Sequence, residues 1–571
     1  MAKIRKSEYR SYAWMKTELQ KAGWNTKNPA LDAGGEVYYQ QECLNHPEIR
    51  KVLGRQRPEF VIKLNETEYW VIEAKGEVSE IGKVFDPTCG TGGFLVAAFD
   101  YVREHASPEQ TQIFKEHRIF GIEQDPTVAT MAIINMIFRG DGKSNIINDD
   151  CFPEHLKSKT ENGIETGEYV LFQEGMENNG PVTKVLMNPP FSKNNENERE
   201  YMFIQHALGQ MQPGGILFSI IPTSVLIKGG KPKNWRKQLL AENTLLSVID
   251  FPEDLFYPVG IRTVGIFIKK GIPHDAKKDR VLWAKVWQDG FVKSKGKRLS
   301  DHRIPDELKE LKKYLKIHLY DTSILRRNIP EKMRICLWNE KDENIELMPE
   351  VYLEEAAETK QQLMDQVEQY VREYLSFLIK RGVKMNIKGK QEEERYRLPE
   401  QMQYGEFMLS DFLWEPCYSG SVHSVSEVGE GRIPLISCKT ENNGIVGHCD
   451  VDLEECTYHC LTIAGDGSFP LTSYYHFEPV ASYDNVTIAP LEDDLSLEII
   501  FFLASRLNRS RWRYSYGRKC YAKKARELKV RIPVNEKGEP DEGMIKSMFS
   551  QMYGWREIVS YITAQRDHVE K

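Results

Sequence analysis

Val84-Phe85-Asp86-Pro87-Thr88-Cys89-Gly90-Thr91-Gly92-Gly93-Phe94 is the stretch that decides the fold. It opens as a short buried-strand candidate, and its glycines then permit a tight turn into a helix that begins near Phe94. Glycines let a backbone approach a ligand closely, and ligands of open α/β sheets sit beyond the carboxyl ends of the strands. From Lys83 to about Lys270, apolar strand candidates alternate with helical patterns: Ile119 to Ile122, Val185 to Met187, Ile216 to Ile221, Leu245 to Ile249 and Val264 to Ile268. The alternation predicts an α/β unit, Rossmann-like, around a mostly parallel sheet.

Two further strand ends carry acids. Ile119-Phe120-Gly121-Ile122 runs into Glu123-Gln124-Asp125-Pro126, where a carboxylate can accept hydrogen bonds from ribose hydroxyls. Asn148-Asp149-Asp150 is a third acidic end, able to accept from an adenine amino group. Taken singly, such acids are as often helix caps, but three in order after three successive strands point to a nucleoside. No GxxxxGK[ST] lysine is present to meet a triphosphate. S-adenosylmethionine, which carries a sulfonium and no phosphate, suits a site lined by acids. The donor-binding candidates are Asp86, Thr88, Cys89, Gly90, Gly92, Glu123 and Asp150.

Lys184-Val185-Leu186-Met187 reads as a strand that delivers Asn188-Pro189-Pro190-Phe191 to its carboxyl end. The prolines fix the backbone and remove N–H donors, which leaves carbonyls for a ligand. An aromatic amino group is a poor nucleophile because its lone pair is delocalised into the ring. If the Asn188 side-chain oxygen and the Pro189 carbonyl each accept one N–H, that lone pair is aimed at the sulfonium methyl. Such an in-line displacement asks for orientation more than for a strong base. Phe191 would stack on the base, and a base within a duplex would first have to be turned out of the helix. Alone, Asn-Pro-Pro-Phe could be a rigid turn before a helix; the glycine stretch upstream favours chemistry.

The 571 residues, 40% hydrophobic and 28% charged, predict two to four domains. Ten cysteines form no CxxC pair, and Met1-Ala2-Lys3-Ile4-Arg5-Lys6 opens with charge, so disulfides, a structural zinc site and secretion are not expected. The longest apolar stretch, Gly215 to Ile227, contains Pro222 and falls short of the ~20 residues that span a bilayer. A cytoplasmic protein with no membrane partner is therefore expected. A net charge of −7 argues against a chain that coats nucleic acid along its whole surface. Locally, eleven Lys or Arg residues lie between Arg506 and Arg531 against the single acid Glu527, interleaved with Trp512, Tyr514, Tyr516 and Tyr521. Cations beside aromatic faces can meet phosphates and bases together, although a solvated basic face would look the same.

Leu353, Ala357, Leu363, Val367, Val371, Tyr374 and Leu378 follow helical spacing and predict a long helix ending near Gly382, with core packing as its ordinary meaning. From about Leu398 to Pro533 the chain is rich in Gly, Ser, Tyr and short β runs, which predicts a mixed α+β domain. The expected organisation is an N-terminal segment over 1–78, the α/β domain over 79–345, a helical spacer over 346–397, and a last domain with a C-terminal helix over 398–571.

Residues 83 to 270 resemble the N6-adenine DNA methyltransferase domain of type I modification subunits and of fused type IIG restriction and modification enzymes. Asp-Pro-Thr-Cys-Gly-Thr-Gly-Gly-Phe-Leu at 86 to 95 is close to that family's first motif, and Asn188-Pro189-Pro190-Phe191 matches its catalytic motif. The resemblance implies a ribose contact for Glu123 and a contact to the cofactor adenine for Asp150. Gly214 to Leu226, and Asp250 to Lys270 with Gly260-Ile261-Arg262-Thr263, are also similar. Where the family has a helical region and a Phe-Thr-Pro segment before the first motif, this chain has Gly76 to Lys83.

Residues 398 to 535 resemble one target-recognition domain of a type I specificity subunit, through Ile433 to Ser437, Leu461 to Gly467, Tyr483-Asp484-Asn485-Val486 and the basic run ending at Pro533. Such domains read base edges while their cations grip phosphates. That implies DNA contacts for Arg511, Arg513, Tyr516, Arg518, Lys519 and Lys523. Pro58-Glu59-Phe60 and Glu73-Ala74-Lys75 are similar to a nuclease motif in which two acids hold Mg²⁺ and a lysine supports the attacking water. Glu59 stands where the aspartate is usual, and the remaining elements of that fold are missing from the sequence. A degenerate remnant is expected, with Mg²⁺ required only if it cleaves.

The sequence therefore predicts a site-specific adenine-N6 methyltransferase of a restriction-modification system, with S-adenosylmethionine as cofactor and no metal for methyl transfer. Its expected partners are double-stranded DNA and a nuclease or specificity subunit. An alternative is a truncated relative that only binds DNA in a sequence-specific way. RNA guanine amines and protein glutamine amides are the competing substrates for such a motif.

Overall fold

The computed structural model describes residues 15–17, 19–21, 23–27, 29, 34–39, 46–53, 60–63, 69–72, 82–140, 145–152, 160–161, 164–165, 182–191, 199–257, 260–294, 297–320, 329–355, 358–385, 402–420, 429–515 and 517–569. They belong to two compact units, Met1–Glu354 and Glu355–Lys571.

The first unit begins with an antiparallel three-stranded sheet, β1 (Val37–Tyr39), β2 (Phe60–Lys63) and β3 (Tyr69–Ile72), with α1 (Pro47–Leu53) between β1 and β2. β2 and β3 pair antiparallel, Phe60 opposite Ile72 and Lys63 opposite Tyr69. This segment shares a core with the main sheet: Met15, Leu19, Trp24, Phe60 and Ile62 pack with Ile249, Phe251, Leu282 and Ala284. Glu59, Glu73 and Lys75 of the nuclease-like motif lie outside the described residues, as do 73–81 before the glycine stretch.

The main sheet has nine strands: β4 (Lys83–Asp86), β5 (Ile119–Glu123), β6 (Ile146–Asn148), β7 (Val182–Met187), β8 (Met211–Pro222), β9 (Thr244–Asp250), β10 (Thr263–Lys269), β11 (Arg280–Lys285) and β12 (Met333–Leu337). Their order is β12-β11-β9-β10-β8-β7-β4-β5-β6. From β8 to β6 every pairing is parallel, β10 runs antiparallel to β8 and β9, β9 and β11 are parallel again, and β12 closes the edge antiparallel. The sheet is the mostly parallel α/β architecture that the alternation predicts. β9 is buried at every position, as expected of a strand covered on both faces. Its two hydroxyls both donate to backbone carbonyls at 2.8 Å, Thr244 Oγ1 to Ile272 and Ser247 Oγ to Leu282. β11 and β12 were not expected: Arg280 and Lys285 limit the apolar run of β11 to four residues, and Arg334 interrupts that of β12.

The chain leaves β4 towards β5 and β6, then returns to β7 on the other side of β4. This reversal of strand order opens a crevice at the carboxyl ends of β4 and β7. In register, Val84 pairs with Lys184 and Phe85 with Val185. The turn after Asp86 and the residue after Met187 therefore stand at adjacent strand ends, separated by one interstrand spacing of ~4.8 Å. α2 (Gly93–His105), α3 (Pro108–His117) and α4 (Pro126–Ile137) cover this end of the sheet, with Leu95, Phe99, Phe114, Ala132 and Met136 packed against Val84 and Ile119. Among the described residues no helix is long and apolar enough to cross a membrane; the apolar stretch at 215–227 is largely β8.

The helix expected from Leu353 begins later. α5 (Pro349–Tyr352) is a separate turn in the first unit, where Tyr352 stacks on Trp283 with ring centroids 3.7 Å apart. In the second unit α6 (Lys360–Lys380) starts at a capping box: Gln362 N–H donates to Thr359 Oγ1 at 3.2 Å, and Thr359 N–H donates to Gln362 Oε1 at 2.8 Å. Leu363, Val367, Val371, Tyr374 and Leu378 are buried at the spacing read from the sequence. The helix lies in the core of this unit with α7 (Leu497–Arg509), whose Phe501 contacts the rings of Tyr370 and Tyr374. Two-, three- and four-stranded sheets complete a mixed α+β unit that ends in α8 (Glu542–Ser550) and α9 (Trp555–Val569).

Candidate active site

The turn after β4 is built by left-handed backbone. Gly90 has φ 57° and Gly92 has φ 82°, conformations that disfavour a Cβ; Gly92 forms the N-cap of α2, and a Cβ added to it would lie 3.4 Å from the Ala132 methyl. A Cβ on Gly90 would meet nothing within 4 Å, so the turn is open on its outer side. Thr88 N–H donates to Asp86 Oδ1 at 3.0 Å. Cys89 turns inward instead: its backbone N–H donates to the Ile122 carbonyl at 2.8 Å, and its side chain joins the core of Val84, Leu95 and Phe99. Burial, then the charges of Asp86 and Glu123, push its thiol well above the ordinary range. Cys89 thus supports the turn from below rather than lining its open side, where the donor contact was expected.

The acids of the three strand ends sort by their hydrogen bonds. Asp125 is the N-cap of α4, accepting from Thr127 N–H at 2.8 Å and Val128 N–H at 3.0 Å. Glu123 is no cap. Its Oε2 accepts from Gly90 N–H and its Oε1 from Asp125 N–H, both at 2.9 Å, which ties the end of β5 to the glycine turn. A carboxylate has about four acceptor directions, so each oxygen keeps room for a hydroxyl donor. Asp150 accepts from Phe152 N–H at 2.9 Å, and the Phe152 ring packs on Phe203 and His206 at centroid distances of 4.6 and 5.0 Å. Burial pushes His206 down to about 4, with the Asp150 charge opposing. Phe152, an aromatic face beside Asp150, was not singled out from the sequence; its position two residues after the acid was the available signal. Asp86 is buried, and desolvation pushes its carboxyl up to about 8.

Asn188, Pro189, Pro190 and Phe191 follow β7 directly. Asn188 Oδ1 is buried and has no hydrogen-bond partner among the described residues. Such an atom costs about 1–3 kcal/mol unless something donates to it. Pro189 is buried, Pro190 exposed and Phe191 half-buried. Phe191 meets Phe256 edge to face, with centroids 5.6 Å apart and planes at 88°. Phe256, from the loop after β9, is a second residue of this slot that was not singled out, although it lies within the family-like stretch 250–270. Of the predicted site residues, the structure therefore gathers Asp86, Gly90, Gly92, Glu123 and Asn188 to Phe191 around the crevice, with Asp150 at the end of the neighbouring β6.

This lining fits a sulfonium nucleoside. Acids occupy three consecutive strand ends, the turn is open over Gly90, and an unpaired acceptor waits at the adjoining strand. No group of three or more His, Cys, Asp or Glu residues among the described ones could hold a metal.

In the second unit the basic run is partly neutralised by acids distant in sequence. Arg506 pairs with Glu358 at 2.8 Å, Arg509 with Glu358 at 3.1 Å and Arg513 with Glu355 at 3.9 Å. Arg518 is buried; its guanidinium donates to the Arg513 carbonyl at 2.5 Å and lies 4.6 Å from the Tyr514 ring centroid. The guanidinium of Arg518, for which a DNA contact was expected, is thus engaged within its own unit. Lys519 pairs with Asp466, and Arg511 donates to the Asn508 carbonyl at 3.0 Å. Lys523 is exposed, and Tyr516 lies outside the described residues. A cavity of about 770 Å³ in this unit is lined by Asp365, Glu368 and Glu373 of α6 with Asn442 and Asn443; none of the predicted site residues lines it.

Residues 71–361 match the family model described as N-6 DNA Methylase. Over 215 residues the chain is 36% identical to the type II restriction enzyme and methyltransferase RM.BcgI of Heyndrickxia coagulans, which covers 37% of this chain and 31% of that protein. Over 223 residues it is 27% identical to the type I restriction enzyme EcoKI methylase subunit of Escherichia coli (strain K12), covering 36% and 39% respectively. Among solved structures it is similar to the type I restriction-modification system methyltransferase subunit from Streptococcus thermophilus, with a TM-score of 0.33 and 19% identity over 47% of this chain and 54% of that one. The chain spans about a third of the length of the curated relatives it matches.

Proposed function

The chain belongs to the N-6 DNA methylase family, and on that premise we propose that it transfers a methyl group from S-adenosylmethionine to the N6 amine of an adenine in double-stranded DNA, as the modifying component of a restriction-modification system. The observation that carries this reading is the buried, unpartnered Asn188 Oδ1 at the strand end beside the glycine turn. A buried acceptor kept without a donor is a cost in the free protein, and an exocyclic amine relieves it.

Bound S-adenosylmethionine would supply an electrophilic methyl carbon. Glu123 would accept from its ribose, Asp150 from its adenine amine, and Asp86 would place negative charge near the cationic end. Asn188 Oδ1 and the Pro189 carbonyl accept the two N–H bonds of the target amine, which orients its lone pair without a strong base. Phe191 stacks on the flipped base, and Phe256 bounds the slot from the side.

Recognition of a DNA sequence falls to the second unit, read as a target-recognition domain over 398–571 and joined by the helical segment within 346–397. Arg511, Arg513, Tyr516, Lys519 and Lys523 would face the duplex, with a nuclease or specificity subunit as a further partner. Incubating the protein with unmethylated duplex DNA and S-adenosylmethionine labelled in its methyl group tests the proposal. Label in N6-methyladenine is expected; label found only in RNA or protein added as competitors would refute it.

A further inference from the structure

Asp250 ends β9 and Arg262 stands one residue before β10, so these side chains mark the two ends of the loop 251–262 that carries Phe256. The Arg262 guanidinium bridges both oxygens of Asp250, at 3.1 Å to Oδ1 and 2.5 Å to Oδ2. Phe251 N–H also donates to the Thr263 carbonyl at 3.1 Å, so backbone closes the same neck. Lys285, at the end of β11, donates from Nζ to Asp250 Oδ2 at 2.8 Å and to Glu350 Oε1 at 2.7 Å, and Arg262 reaches Glu350 as well. Side-chain exposure is 1% for Asp250, 0% for Glu350, 8% for Lys285 and 11% for Arg262. Two acids and two bases therefore stand desolvated and mutually neutralised at the carboxyl edge of the sheet, beside the crevice.

Well-packed apolar residues often stabilise a fold as much as a buried ionic cluster does, so stability alone is a weak reason for four charges here. What the cluster adds is direction. A two-pronged guanidinium–carboxylate bridge is planar and resists both sliding and twisting of its ends. The loop it closes presents Phe256 to Phe191 at 5.6 Å.

We propose that Asp250, Arg262, Lys285 and Glu350 are positioning residues of the amine pocket: they staple loop 251–262 at its neck and so hold Phe256 at a fixed distance from Phe191. This rests on reading Phe191 as the base-stacking ring. A slot for a planar base is sensitive to small displacements, since a misplacement of about 1 Å can cost about 10²-fold in rate.

The test pairs amide hydrogen exchange of the full chain with methyl transfer to genomic DNA from a host lacking adenine methylation. In Arg262→Lys, which keeps the charge and loses the fork, amides of 251–257 should exchange about tenfold faster while β9 and β11 keep native rates. kcat should fall about 10²-fold with KM for S-adenosylmethionine unchanged. Phe256→Leu, which leaves the staple intact, should keep native exchange at the neck and show the same loss of kcat. Native exchange and native kcat in Arg262→Lys would overturn the proposal, as would acceleration spread equally through β9 and β11, or native kcat in Phe256→Leu. A wild-type protein that transfers no methyl refutes the catalytic reading, while the exchange pattern still judges the staple.

Discussion

The carboxylate of Glu123 accepts the backbone N–H of Gly90 at 2.9 Å, so the acid that ends β5 also fixes the turn that follows the adjacent β4. One side chain thus links the expected ribose contact to the shape of the loop above it. Glu123→Gln keeps the size but sets an amide N–H₂ against backbone donors. Charge-assisted hydrogen bonds are worth about 1.5–3 kcal/mol, so Kd for S-adenosylmethionine should rise roughly 10- to 150-fold. Titration calorimetry reads this, and an unchanged Kd would contradict the assignment.

Asp86 gives a pH dependence with a defined sign. Burial raises its carboxyl from an ordinary value of 3.8 to about 8, with the Glu123 charge adding and the Thr88 N–H opposing. The folded chain therefore keeps a proton that the unfolded chain releases. Its stability contribution is full below about pH 4 and is lost as the pH rises through about 8. Asp86→Asn should flatten that part of the urea-derived stability profile. A bound cation favours the carboxylate, so cofactor binding should release a proton below pH 8 and tighten as pH rises. Calorimetry in two buffers of different ionisation heat should show this release in the wild type and none in Asp86→Asn.

Asn188→Ala separates catalysis from folding. The loss of one oriented acceptor is expected to lower kcat by about 10²–10³-fold, in line with single polar groups that act in a transition state. Removing a buried unsatisfied carbonyl offsets the lost packing, so Tm should be equal to or above that of the wild type. A variant that unfolds early and yet retains kcat would place Asn188 in the framework instead.

In the second unit, Lys523→Ala and Arg518→Ala should part company. Exposed Lys523 is expected to weaken DNA binding across all sequences and to reduce the salt slope by about 1, with stability unchanged. Buried Arg518 supports the Arg513 carbonyl; its replacement should cost about 1.5–3 kcal/mol of stability, measured by urea denaturation. The reverse pattern would return Arg518 to the DNA-facing set.

Much of the α/β core was legible because its signals are local. Val84-Phe85 before the glycines, the acid after Ile122 and the prolines after Met187 each state a strand end within a few residues. The core face of α6 was equally legible from the spacing of Leu363, Val367, Val371, Tyr374 and Leu378, whereas its start was not, because Leu353 and Ala357 continue the apolar period across a break that only the Thr359 cap reveals. What escaped depends on pairing between distant residues. Asp250 and Glu350 are a hundred positions apart and look like ordinary solvated acids in sequence. Glu355 and Glu358 neutralise Arg506 and Arg509 from across about 150 residues, which no count of charges within the basic run could show.

The central claim is that the Asn188 carboxamide and its neighbouring peptide oxygen orient an adenine amine towards a methyl donor held at the glycine turn. Methylation-sensitive sequencing of DNA from cells that express this chain, beside cells that express Asn188→Ala, tests it most directly. N6-methyladenine is expected in one fixed sequence context with the wild type and nowhere with the variant. The same methylated sites in both strains would contradict it.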